Sequence, residues 1–88
     1  MQLVLHKQEC IGNCKFDGQI LFTKGFETQF SDKTTDIIIA SMALILSRVR
    51  ENVADYLQVL TAQTSTAIIE FWAIDDGSCV TFLLPEDY

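Results

Sequence analysis

His6, Cys10 and Cys14 fall four residues apart, and Cys79 would complete a set of four zinc-type ligands. Zinc takes such a mix when four side chains converge at about 2.0–2.3 Å. The spacing argues against it here. Zinc loops usually use a closely spaced cysteine pair twice, and this chain has one pair. His6 is also the sole imidazole and falls at the end of an apolar run. No metal and no cofactor is therefore expected. A disulfide or redox pair between Cys10 and Cys14 is the other chemistry on offer, although the spacing is not the Cys-x-x-Cys of thioredoxin-like sites. Free thiols are the default for a chain of the cytosol. Spacing alone leaves open whether His6, Cys10, Cys14 and Cys79 meet.

Asp75-Asp76 has the look of a paired-carboxylate site, but Gly77 follows, and Asp-Gly is what a tight turn requires. Glu70 is expected beside Trp72 among apolar neighbours, where burial would raise its pKa, yet no second group is placed to work with it. Nucleophilic catalysis needs a base near the nucleophile, and His6 is the only histidine. No glycine-rich phosphate loop or dinucleotide fingerprint occurs. The chain is read as a non-enzyme.

Charge narrows the partners. The net charge is −6. Residues 51–88 hold seven acids and no base, whereas residues 1–50 hold five acids and all six bases. Such a surface repels phosphate backbones and anionic membranes, so no direct nucleic-acid or membrane contact is expected. A basic protein partner would be attracted. The acids available for that are Glu51, Asp55, Asp75, Asp76, Glu86 and Asp87. The first residues lack a basic leader and a long apolar core, so no signal peptide is read. The nearly apolar run Ile37–Leu46 is about half of a membrane span. A cytoplasmic location follows.

Eighty-eight residues suit one domain, 1–88. Leu3-Val4-Leu5 reads as a strand. Gln19–Phe30 reads as a hairpin with a loop at Thr23-Lys24-Gly25, because that register puts Ile20, Phe22, Phe26 and Phe30 on one face. Asp32 to Asp36 offer helix caps, and 36–61 then carry apolar side chains at helical spacing with no glycine or proline. Arg48 would pair with Glu51 on that helix. Ala67–Leu84 reads as a second hairpin turning at Asp76-Gly77, with Ile69, Phe71, Ala73, Val80, Phe82 and Leu84 on the core face. The fold class is α+β: an antiparallel sheet of about five strands (β-β-β-α-β-β) with one long helix packed on one face. The tail Pro85–Tyr88 is expected to fray.

That architecture has more apolar surface than it can shelter. The N-terminal half of the helix is apolar all round, and a helix apolar all round is buried all round. The second face of the last hairpin carries Ile68, Trp72, Ile74 and Leu83, where an open antiparallel face should be mostly polar. A helix of residues 36–61 would also span about 39 Å and overhang its own domain. The expectation is a small acidic, non-enzymatic interaction or regulatory module that self-associates, most simply as a homodimer, through Ile39, Ala43 and Leu44 of the helix and Ile68, Trp72, Ile74 and Leu83 of the sheet. Its alternatives are a loop 8–18 folded over the helix, and an acidic antagonist that mimics nucleic acid or blocks a basic site.

Overall fold

Five strands line up in the computed structural model, which describes residues 1–88. In chain order they are β1 (Gln2–Leu5), β2 (Gln19–Phe22), β3 (Leu57–Gln63), β4 (Ile68–Asp75) and β5 (Cys79–Leu83). Two helices, α1 (Lys24–Phe30) and α2 (Thr34–Arg50), lie between β2 and β3 and are joined by a short 3-10 turn at Ser31–Lys33. The sheet order is β1-β3-β4-β5-β2. Every pairing is antiparallel except β2 with β5, which is parallel. The class is α+β with a helical layer on one face of the sheet, as the sequence implied. The element order is different.

The expected hairpin over Gln19–Phe30 is half right. Gln19–Phe22 is a strand, but the residues after it are helical. Phe26 and Phe30 suit both readings, because they fall on one face at period two and also four apart. Local chemistry decides. Thr23 is extended, and its Oγ1 accepts the Phe26 N–H at 3.1 Å, a standard N-cap. The helix then delivers Phe26 and Phe30 to the sheet, where their rings lie 5.4 and 5.5 Å from Phe71. Phe82 closes the cluster, 5.8 Å from Phe26. Tilted and edge-on ring pairs add about 0.5–1.5 kcal/mol each beyond burial.

The long helix is shorter than the sequence suggests. It stops at Arg50, and Asn52 takes a left-handed φ of 60°. Asparagine tolerates that conformation and ends helices much as glycine does. The N–H of Glu51 and that of Val53 fold back to the Arg48 carbonyl. Residues 57–61, expected as the end of the helix, instead begin β3, with Gln58, Leu60 and Ala62 buried on the helix side. Seventeen residues extend about 26 Å, inside the 34 Å long axis. The overhang expected of a longer helix is absent.

The last hairpin keeps its expected faces but shifts register by two. Asp75 pairs with Val80 and Trp72 with Leu83. A shift of two leaves each side chain on its own face, so Phe71, Ala73, Val80 and Phe82 are core as read. Gly18 sits where a Cβ would meet the Ser78 carbonyl oxygen at 2.3 Å, which is what lets β2 close against β5. The tail does not fray. Pro85–Asp87 form a 3-10 turn, and Asp87 Oδ2 accepts from the Thr23 hydroxyl at 2.6 Å and from the Leu84 N–H at 3.1 Å.

One polar group in this core lacks a partner. Ser41, on the buried side of α2, is fully covered, and its Oγ makes no hydrogen bond. An unmet buried hydroxyl costs free energy that alanine would not. Ser41→Ala is expected to raise stability by about 1 kcal/mol, read as a higher urea midpoint at unchanged slope.

Candidate functional site

The helical layer covers only part of one face of the sheet. α1 packs over β5, and α2 lies over β1. Ile37, Ile38 and Ile45 of α2 point inward and are buried. The outer side of α2 carries Ile39, Ala43 and Leu44, all exposed. Ile39 is 63% exposed and Leu44 36%. Segment 8–18 does not cover them. It is held at the top of the sheet, where Cys14 N–H donates to the Ala54 carbonyl and Phe16 N–H to Asp75 Oδ2, 2.9 Å away. The helix surface anticipated from sequence is therefore open to water in the single chain.

The sheet residues named with it lie elsewhere. Pairing sets Ile68, Trp72 and Ile74 of β4 and Leu83 of β5 on the face away from both helices, with Val59 of β3 and Leu21 of β2. Ile39, Ala43 and Leu44 thus cannot join Ile68, Trp72, Ile74 and Leu83 in one patch. Ile68 is 71% exposed, whereas Leu83 is only 5% exposed. Trp72 is half-buried. Its Nε1 donates to Glu70 Oε2 at 2.9 Å, and its ring meets that of Tyr88 edge-on at 5.6 Å. Glu70 stands beside Trp72 as read, but on an exposed surface.

A polar knot fixes the junction of β1, α2 and β3. Gln58 is fully buried, and every polar atom of its amide is used. Arg48 Nη1 donates to Gln58 Oε1 at 2.5 Å, and Gln58 Nε2 donates to Gln8 Oε1 and the Asp55 carbonyl. Arg48 Nη2 donates to the His6 carbonyl at 2.5 Å. Arg48 was expected on Glu51. It turns to these partners because they satisfy a buried amide, which a solvated ion pair does not. Burial pushes the Arg48 guanidinium down from its usual pKa, and Glu51 opposes that. Gln8 also donates to the Val53 carbonyl and accepts from Asp55 N–H. A groove of about 460 Å³ opens beside this knot, lined by His6, Glu9, Cys10, Asp55 and Glu70 among others. His6 Nε2 meets the Thr61 hydroxyl there.

No three His, Cys, Asp or Glu side chains come together in a ligating arrangement, and Cys10, Cys14 and Cys79 are free thiols. Cys14 is half-buried; burial, then Asp75 and Asp55, push its thiol pKa up. A raised pKa leaves less of the nucleophilic thiolate.

The acids divide between two ends. Glu51 and Asp55 fall between α2 and β3, and Asp75 and Asp76 at the β4–β5 turn, so Asp55 shares an end of the sheet with the turn pair. Glu86 and Asp87 follow β5 at the opposite end. Asp75 and Asp76 build the turn. Asp75 Oδ1 accepts from Gly77 N–H, and Asp76 Oδ1 accepts from Ser78 and Cys79. Gly77 takes a φ of 96°, open to glycine alone without strain. Compared with known proteins, the chain matches no family model, no curated sequence and no solved structure at a significant level.

Two substitutions test these assignments. Arg48→Met leaves the buried Gln58 Oε1 without its donor and is expected to cost roughly 1–3 kcal/mol, read by urea unfolding. For Asp76, the N–H groups of Cys79 and Ser78 hold the carboxyl below its usual range. A depressed folded pKa stabilises above the unfolded value, about 3.9, and that contribution is lost as pH falls through the folded value. Asp76→Ala should therefore lower the melting temperature near pH 7, and the gap from the parent should shrink toward about pH 2.

Proposed function

We propose that this protein is a small acidic, non-enzymatic interaction module that self-associates and offers apolar surface to protein. The observation that carries the reading is the outer side of α2. Ile39 and Leu44 are exposed there with Ala43 between them, and the segment that was free to cover them is tied down elsewhere. Ala40 continues the same exposed strip. Contiguous apolar surface of this kind marks an interaction site more often than an ordinary solvated helix. The Trp72 face adds a second apolar surface, with an indole of the sort enriched at binding hot spots.

The acidic-antagonist reading gains nothing from this geometry. Asp55, Asp75 and Asp76 share one end of the sheet, but Glu86 and Asp87 lie at the other. Asp75 and Asp87 are moreover committed to hydrogen bonds within the chain.

A photo-crosslinking residue decides whether the α2 surface meets protein. Placed at Leu44 and irradiated in living cells, it is expected to trap a second copy or another protein at least several-fold more than the same residue at the exposed Thr28 of α1. Equal, background-level yields at both positions would mean that the strip faces only water.

A further inference from the structure

β2 is an open edge. Its one neighbour is β5, so its other side has no strand. The N–H groups of Gln19 and Thr23 donate to the Ser78 and Phe82 carbonyls. Main-chain groups alternate sides along a strand, so the N–H and C=O of Ile20 and Phe22 point away from the sheet. The side chains here are unusually bare. Ile20, Leu21 and Phe22 are 42%, 42% and 45% exposed. Ile20 and Phe22 lie on the helix face, paired with Val80 and Phe82, and Leu21 lies on the other. The helical layer ends over β5 and leaves them uncovered.

Natural edge strands are usually blunted by charge, proline or a bulge. β2 has none of these within Gln19–Phe22; its only such protection is its shortness. β1, the other edge, is different, since Leu3, Val4 and Leu5 are all half-buried and α2 packs against that strand.

We infer that a second copy of this chain joins here, β2 against β2 in antiparallel register about a two-fold axis through Leu21. The inference rests on the self-association proposed above but places it at this edge, which leaves the outer side of α2, over the opposite edge, for another protein. Symmetry and hydrogen bonding select this register. Opposed residues in an antiparallel pair share a face. Ile20 then faces Phe22 of the partner, and Phe22 faces its Ile20. Both carry outward main-chain groups, so the two pairs exchange about four N–H···O bonds. Leu21 faces its own symmetry mate on the opposite side, in the non-hydrogen-bonded position where side chains come closest. Charge agrees with the register. The strand Gln19–Phe22 carries no charge, so no like charges oppose each other across the join. The axis is normal to the sheet, so both helical layers stay on one side and the two sheets run together.

This join is small, at the low end of stable interfaces, so association should depend on concentration. Sedimentation equilibrium of the full chain from about 1 μM to about 1 mM is expected to show a mass rising from 9.9 kDa toward twice that value. Leu21→Lys sets two cations against each other. Ile20→Pro removes an outward N–H while sparing the bonds to β5, a substitution that edge strands tolerate. Each is expected to weaken the dimer at least about tenfold, with thermal melts that stay cooperative. Mixing Leu21→Lys with Leu21→Glu should restore dimers. A parent that stays at 9.9 kDa throughout overturns self-association and this join together. A parent dimer that persists in both folded variants overturns the join alone. Failure of the charge-swapped mixture to pair, when each variant is monomeric, overturns the register.

Discussion

The packing of Phe26 and Phe30 against Phe71 and Phe82 is the constraint on which the rest of the molecule depends. These rings cannot be left in water, and the chain must bring them from two distant segments to one place. It does so by turning sharply after Phe22. Thr23 caps the new helix, and about two turns later both phenylalanines have reached the sheet. That turn also fixes the topology. With its continuation committed to a helix over β5, β2 has no hairpin partner and lies parallel to β5. Parallel neighbours need a long crossover, and here the whole run from α1 to β4 supplies it.

A second consequence is what the helical layer fails to reach. α1 and α2 together cover one face from β1 to β5 and stop short of β2. Three regions fall outside their shelter: the outer side of α2, the face behind Trp72, and the β2 edge. None follows from careless composition. The first two back elements whose inner sides are committed to the core, and β2 lies beyond the end of the helical layer. The polar knot around Gln58 closes the top of the same core by another device, in which an arginine and two glutamines replace apolar packing. A fully satisfied buried network of this kind specifies one arrangement of its segments and penalises alternatives.

The sequence was most legible where two signals agreed. For β4 and β5, alternation and the Asp-Gly turn point the same way, and the core face of that hairpin was readable residue by residue. It was least legible where one residue serves two periods. Phe22, Phe26 and Phe30 fit a strand and a helix equally, and only the capping role of Thr23 separates them. The helix end was hidden for a related reason. With no glycine or proline over residues 36–61, nothing punctuated that stretch except Asn52, whose tolerance of a positive φ is a weak signal beside a sustained helical pattern. The alternation of β3 and the β-branched Val59 and Thr61 were the overlooked cue. Two errors cancelled: a strand expected at Phe26–Phe30 is absent, and one inside the expected helix is present. Of the surface residues, Ile39, Ala43 and Leu44 were legible because helical period alone places them. That they and Trp72 occupy opposite sides of a sheet was not, since it depends on which face the helices choose. The exposure of β2 depends on strand order, which no local pattern encodes.

Trp72 is the only indole in the chain, and it stands outside the core, against Tyr88 and Glu70. Its fluorescence consequently reports on the uncovered face and the docked tail, while circular dichroism follows the backbone of helices and sheet. If Tyr88 lets go before the phenylalanine cluster melts, the two optical signals will part company on heating, and their separation would measure how tightly the last turn is held.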